Sequence, residues 1–526
     1  MAGLLLSTAA EASWYVAETD NFLVYAEGRE AETREFASRL ERYARAMRFM
    51  QNMPANSGKA KNRLTIYRYG DREDIAELYG DRRSSIAGFF IPRSSGSVAF
   101  VPARDTSFRG SPGTRPDWDA ELDAETILFH EYAHHFMMQH FPAAYPAWYI
   151  EGFAELYGTT QIAEDGIFRI GEPANHRGMQ LFHDSYFPVK KLFEPKLKDE
   201  ERKLYLKRIK DLKDEDTRHY YSMGWLLTHY LTFSPERAGQ LKKYLTAVNQ
   251  GVPSADAASS SFGDLDKLDE ELQRYKRSRL MAVEVKPANY VPPEVKVRRL
   301  TDPEEASISV RIRSQRGVDE KSAPRVAAEA RTVAGSHPHD AFVQIALAEA
   351  ELDAGNLEAA EAAADRALAA DPEAASALIY KGMVHLKRAR KDPSQFAAAR
   401  QWFVKANRLN PNDPQALILN YLTFDQAGGQ VPELAIIGLE RAFELAPFDP
   451  EVRFLLARQL LREGRSKPAR TVLSPVAFSA HRGKAKDAAA KIIESIDGSD
   501  LATAVSLADE QVNGKDEEEG KDGKSR

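Results

Sequence analysis

Residues 128–141 read LFHEYAHHFMMQHF, and residues 146–158 read PAWYIEGFAELYG. In the first stretch His130, Glu131 and His134 form the pattern His-Glu-x-x-His. Residues four apart share one face of a helix, so His130 and His134 can turn two imidazoles toward a single metal ion. Glu131 is then placed to take a proton from a water that the ion polarises. Pro142 and Pro146 break the first helix, and a second amphipathic segment begins near Ala147. Its Glu151 supplies the third ligand that a catalytic zinc needs, with the fourth position left to water. Glu155 lies one turn further on the same face, where one of the two acids can hydrogen-bond the far nitrogen of a ligating histidine. Gly152 and Ala154 are small enough to let two helices approach closely. The bland alternative for the five-residue pattern alone is a surface helix with incidental histidines. The paired acids and small residues of the second segment favour the metal site.

Composition bounds the remaining classes. The chain has 526 residues, enough for two or three domains, and a net charge of −6 that offers no basic surface to a nucleic acid. There is no cysteine, which excludes thiolate-bound zinc, disulfides and thiol catalysis. No apolar run approaches the length of a membrane-spanning helix. The opening MAGLLLSTAAEA ends in Ala10-Glu11-Ala12, a small-x-small pattern like a signal-peptidase site, but lacks basic residues before its short apolar part. It reads as the remnant of a secretory signal (residues 1–12), which implies export to a bacterial periplasm. A frayed cytoplasmic N-terminus is the alternative.

Residues 13–178 read as mixed α/β. One or two strands are expected in Trp14–Tyr25, a helix over Glu30–Met53, a strand over Leu64–Tyr69 and a helix over Arg72–Tyr79. A strand pair, Gly88–Pro92 and Ser97–Pro102, turns at Ser94-Ser95-Gly96. Its second strand could rim a cleft and pair with an extended peptide, or be an ordinary sheet edge. Asp123 is the expected N-cap of the His-Glu-x-x-His helix. Residues 179–284 read as mostly helical; Arg218–Phe233 has an apolar face made by Tyr221, Trp225, Leu226 and Tyr230, with Gly224 allowing close packing. Residues 285–324, rich in Pro and charge, read as a linker with one strand at ISVRIR (308–313).

Residues 325–496 carry a repeat. Pro338, Pro372, Pro411 and Pro447 are spaced by 34, 39 and 36 residues, close to the period of a helix-turn-helix unit. Alanine recurs at two small positions in each unit: Ala360 and Ala367, Ala399 and Ala406, Ala435 and Ala442. Gly355 and Gly464 fall in turns between paired helices, and the longer unit has an insertion near Arg388–Ser394. The pattern resembles tetratricopeptide repeats, about three and a half of them, with an irregular Ala-rich bundle as the alternative. The tail at residues 513–526 is charged low complexity and is expected to be disordered.

The two quoted stretches together resemble the gluzincin zinc metallopeptidases, most nearly the peptidase-MA-like bacterial proteins of the DUF1570 type, which are often joined to tetratricopeptide repeats. The resemblance implies an α+β, thermolysin-like zincin catalytic domain, a mixed sheet followed by a mostly helical half, with an all-α repeat solenoid after it. It implies that zinc is held by His130, His134 and Glu151, with Glu155 behind them and Glu131 as base. Tyr221-Ser222-Met223-Gly224 resembles the Tyr-x-x-Gly whose tyrosine stabilises an oxyanion in the aminopeptidase branch; an aromatic core residue is the plain alternative for Tyr221. That branch also has a Gly-Ala-Met-Glu-Asn strand whose acid holds a free amine. Here the matching stretch, Gly96 to Phe100, has no acid, which favours an endopeptidase.

The implied partners are a peptide or protein substrate at the zinc site and a protein ligand on the repeats. His135, His140, His183, His219 and His229 are further candidates for metal or acid-base work, each weighed against a structural or solvated role; His135 turns to another face of its helix, toward solvent. The rival function is a tetratricopeptide scaffold or adaptor with a degenerate or structural metal site. Glu131 separates the two, because a structural site has no use for a base beside its ligand. Hydrolysis of non-peptide amides is a further possibility.

Overall fold

The computed structural model describes residues 13–54, 62–82, 86, 88–104, 124–141, 143, 145–183, 186–193, 215–478 and 483–518. The expectations for residues 1–12 and for Asp123 as an N-cap lie outside these residues. In chain order come β1 (Ser13–Glu18), β2 (Phe22–Gly28), α1 (Glu30–Met50), β3 (Leu64–Arg68), α2 (Arg72–Tyr79), β4 (Phe89–Ile91) and β5 (Val98–Val101). Then follow α3 (Ala124–His140), α4 (Ala147–Gly158), β6 (Gln161–Ile162), β7 (Phe168–Ile170), α5 (Gly178–His183) and α6 (Glu215–Phe233). Next are α7 (Gln240–Asn249), α8 (Ser254–Phe262), α9 (Leu265–Tyr275), β8 (Val283–Val285), β9 (Lys296–Arg299) and α10 (Asp302–Arg316). Beyond Arg316 the described chain is helical hairpins. Among the described residues no helix is long and apolar enough to cross a membrane.

The chain divides into two compact units, each drawn from separate segments. The first holds the described residues up to Arg104 together with Pro292–Leu445. Its core is a six-stranded mixed sheet in the order β4-β5-β3-β2-β1-β9. β2, β3 and β5 run parallel, while β4 pairs β5, β1 pairs β2 and β9 pairs β1 antiparallel. Tyr25, Tyr67, Phe100 and Phe89 stack across adjacent strands at centroid distances of 5.3, 5.6 and 4.9 Å. Such cross-strand aromatic pairs are a main source of sheet cohesion. β5 is hydrogen-bonded on both sides, by β3 and β4. It therefore has no free edge for an added peptide strand, contrary to the expectation from its place in the sequence.

The stretch ISVRIR is helical, not a strand. Thr301 and Glu304 form a capping box at the start of α10, with a proline in the first turn. The alternation of Ile308, Val310 and Ile312 arises because the helix is buried on two sides. Ile308 and Ile312, one turn apart, pack on the sheet with Tyr67 and Phe100. Val310 packs instead among Val326, Ala330 and Val343 of the following helices. The strand in the expected linker is β9, which precedes α10.

The repeat hairpins in this unit pair Ala341–Asp353 with Leu357–Ala370, Ala375–Ala389 with Gln395–Leu409, and Pro414–Asp425 with Glu433–Leu445. The alanines singled out by spacing are all buried: Ala360, Ala367, Ala399, Ala406, Ala435 and Ala442 are at most 3% exposed. Gly355 takes φ +76 in its inter-helix turn, a conformation that L side chains rarely adopt.

The second unit holds the described residues from Ala124 to Val291 together with those from Ala446 to Glu518. It contains α3 to α9, the three-stranded sheet β6-β7-β8 and two more hairpins, Pro450–Arg462 with Ser466–Ala477 and Lys484–Asp497 with Leu501–Glu518. Gly464, at φ +75, turns the first of these. Fully buried Trp148 sits at the middle of an aromatic cluster with Phe193 and Tyr244, and its Nε1 donates to the Tyr244 hydroxyl at 3.1 Å. The charged tail is ordered further than its composition implies. The last helix runs to Glu518, tied down where Arg458 donates to Asn513 at 3.1 Å and Arg462 to Asp509 at 2.6 Å. Residues 519–526 lie outside the described chain.

Candidate metal centre

α3 is apolar over most of its circumference: Leu128, Phe129, Ala133, Phe136 and Met137 are buried, leaving His130, Glu131 and His134 half-buried. α4 starts after Pro146, which holds the extended backbone that precedes a helix. From Ile150 to Gly158 every residue of α4 is buried. Two glycine contacts set its place. A Cβ on Gly158 would stand 3.3 Å from the Cβ of His130 and 3.4 Å from the carbonyl oxygen of Thr126. On another face, Gly152 abuts the backbone of Gly224 and the hydroxyl of Thr228, and Gly224 abuts the carbonyl of Trp148. The small residues of the EGFAE segment therefore seat α4 against α6, and Gly158 seats it against α3.

This packing brings Glu151 beneath the two histidines. The Nε2 atoms of His130 and His134 are 3.0 Å apart, and each is 3.5 Å from Oε2 of Glu151. Ligand atoms about 2.0–2.1 Å from a tetrahedral zinc stand about 3.3 Å from one another. The triangle of 3.0, 3.5 and 3.5 Å fits such an ion. It is also the one group of three potential ligands that converges among the described residues.

Charge agrees with that geometry. Glu151 is 0% exposed. Burial alone would raise its pKa, but His134 and His130 hold it well below the usual carboxylate range. Burial disfavours the imidazolium of His130, yet Glu151, Glu155 and Glu131 together hold its pKa up at about 9. A buried carboxylate needs compensating charge, and the two imidazoles are the groups placed beside Glu151.

Glu155 is 2% exposed and 3.5 Å from Nδ1 of His130 through its Oε1. Its Oε1 also accepts from Nε of Arg177 at 3.1 Å and from the same guanidinium's Nη2, while its Oε2 pairs with Nε2 of His176 at 2.8 Å. Burial opposes its ionisation, but His176 and Arg177 hold its pKa down at about 2. Tyr221 lies against His130, the two rings stacked at 28° with centroids 6.0 Å apart. Burial, with Glu151 and Glu131, raises the phenol pKa, so the hydroxyl stays a proton donor. The guanidinium of Arg177 lies 4.6 Å from the centre of the Tyr221 ring.

His176 and Arg177 carry no signal in the sequence. They follow Glu155 by 21 and 22 residues in a single 3₁₀ turn, Asn175–Arg177, with no periodicity to mark them. The other histidines fall elsewhere. His135 is not solvated: it is buried, its ring 4.6 Å from that of Phe448, and burial pushes its pKa down to about 3. His140 lies edge-on to Phe136 at 4.6 Å. His229 is fully buried between the Tyr275 hydroxyl at 2.8 Å and the carbonyl of Gly171 at 3.0 Å, a structural place. The side chains of His183 and His219 lie outside the described residues.

No protein-family model matches the sequence, and no curated protein matches it. Among solved structures the chain is similar to a thermophilic TPR protein of Thermus thermophilus, at 17% identity and TM-score 0.31, over 36% of this chain and 96% of that one. It is similar to pilF of Pseudomonas aeruginosa at 19% identity and TM-score 0.32, over 40% and 94%. It is similar to MamA of Desulfovibrio magneticus at 21% identity and TM-score 0.25, over 33% and 93%. The chain's own hairpins, with buried alanines at the recurrent positions, make a TPR-like helical repeat region.

Proposed function

We propose that this chain is a zinc-dependent hydrolase of peptide bonds with a gluzincin-type zincin site. One observation carries the reading: His130, His134 and Glu151 converge at ligand distance, and Glu131 follows the first ligand in the chain. Zinc held there would supply Lewis acidity toward a water and a carbonyl oxygen. The protein's own groups do the rest. Glu131 takes the attacking water's proton and passes it to the leaving amine. Tyr221, kept protonated, donates a hydrogen bond to the carbonyl oxygen as charge grows on it. Glu155 fixes the imidazole of His130 from behind. The stretch from Gly96 to Phe100 carries no acid to grip a free N-terminus, which supports endopeptidase action.

The TPR-like hairpins support a protein-binding role, since such arrays offer a concave face and carry no chemistry of their own. An adaptor with a purely structural metal site would use four protein ligands and no base, so three ligands with Glu131 beside them favour the hydrolase. The test is zinc analysis of the purified chain together with cleavage of a peptide library. About one zinc per chain and metal-dependent cleavage are expected. Absence of bound zinc, or zinc without cleavage of any peptide, would sink the reading.

A further inference from the structure

A single side chain, Arg177, touches both Glu155 and Tyr221. Its guanidinium donates from Nε and Nη2 to Oε1 of Glu155, and its central carbon lies over the Tyr221 ring, 4.6 Å from the ring centre. The neighbouring His176 closes the other carboxylate oxygen at 2.8 Å. We propose that Arg177 and His176 are positioning residues of the metal centre, which clamp Glu155 behind His130 and, through Arg177, hold the ring of Tyr221 beside it. The inference rests on the hydrolase reading above.

The physical case starts from Glu155. A carboxylate 2% exposed is costly to bury unless its lone pairs are taken up. Both oxygens are occupied by cation-capable donors, so the carboxylate cannot rotate without breaking an ion pair. In that state it faces Nδ1 of His130, 3.5 Å away, as an acceptor. That fixes the tautomer in which Nε2 keeps its lone pair for the centre. Arg177 adds a constraint that His176 does not: it lies over the Tyr221 ring while its Nε and Nη2 bind the acid. Lysine cannot do both, because its ammonium has neither a fork nor a face.

The turn that carries the pair is itself anchored. Ala174, just before it, is 3% exposed, and the Arg177 amide donates to the Ala174 carbonyl at 2.8 Å. Arg177 and His176 are thus held on a short, fixed lever rather than a long loop.

The experiment uses the full chain and its Arg177→Lys, Arg177→Gln, His176→Ala and Tyr221→Phe variants, each checked for folding by circular dichroism. Three readouts are taken: the visible spectrum of the cobalt(II)-loaded protein, zinc affinity by chelator competition, and kcat and KM on a cleaved peptide. Arg177→Gln and His176→Ala should weaken zinc binding by roughly 10- to 100-fold and alter the cobalt spectrum, as losing support behind a ligand does. Arg177→Lys should recover much of the zinc affinity but not kcat, because the charge returns without the stack. Tyr221→Phe should leave the cobalt spectrum unchanged. Folded Arg177→Gln and His176→Ala proteins with wild-type spectrum, affinity and kcat would overturn the inference alone. A wild-type protein that binds neither zinc nor cobalt would overturn it together with the reading on which it rests.

Discussion

Gly152 of α4 and Gly224 of α6 meet backbone against backbone, with no room on either for a Cβ. That contact decides where Tyr221 stands, because the tyrosine is one turn before Gly224 on the same helix. Substituting Gly152→Ala forces the helices apart, and overpacking of this kind costs roughly 1–3 kcal/mol. The variant should melt at a lower temperature and hydrolyse more slowly. Gly158→Ala should be milder in stability, since its new Cβ meets the Cβ of His130 at 3.3 Å and the neighbour can yield slightly. Thermal melting of both variants checks the order.

Glu131→Gln preserves shape and leaves the three ligands intact. Loss of a general base costs roughly 100- to 10,000-fold in rate, so hydrolysis should fall by that order while zinc content stays at the wild-type level. Parallel metal analysis and peptide turnover give the answer; an unchanged rate would remove Glu131 from the mechanism.

Glu151→Gln replaces the buried carboxylate with a neutral amide of equal size. The zinc-loaded wild type should be stabilised by about 4 kcal/mol when free zinc is about a thousandfold above its dissociation constant. Chelation should therefore lower the melting temperature of the wild type and leave that of Glu151→Gln unmoved.

The second unit should lose stability in mild acid through its buried neutral histidines. His135 has its pKa pushed down to about 3 by burial, and burial also lowers that of His229. The unfolded chain binds protons at these positions below about pH 6.5, while the folded one does not. The unfolded state thus holds more protons, and stability falls as pH drops from about 6.5 toward 3. Denaturant titrations at about pH 7.5 and about pH 5 should show the loss, and His135→Phe should shrink it.

In the repeat region Phe403 is fully buried and occupies the space a Cβ on Gly382 would need. Phe403→Ala should cost about 3–5 kcal/mol. A drop in helical signal at a lower temperature, followed by circular dichroism, is the expected result.

Much was legible in the sequence wherever a short-range period was at work. The strand and helix positions from Ser13 to Val101, the hairpin period and the buried alanines follow from local spacing. So does the pairing of Glu151 with Glu155, one turn apart on a helix that spacing alone could place. Local spacing misled where an element is buried on more than one side. ISVRIR alternates like a strand because α10 has two buried faces, and His135 meets Phe448 where one helix face was expected to meet water.

By itself, then, the sequence determined that two imidazoles share a helix face and that an acid-bearing, small-residue helix follows them. It also determined that no thiol takes part. Only the tertiary structure decided what stands around them: Gly224 admitting α4, Tyr221 stacked on His130, and Arg177 and His176 closing on Glu155 from a turn some twenty residues away. The reason is physical. Backbone periodicity fixes which side chains point together within a helix, a local matter. Which surface they then meet depends on close packing between segments far apart in the chain, and no local pattern records that.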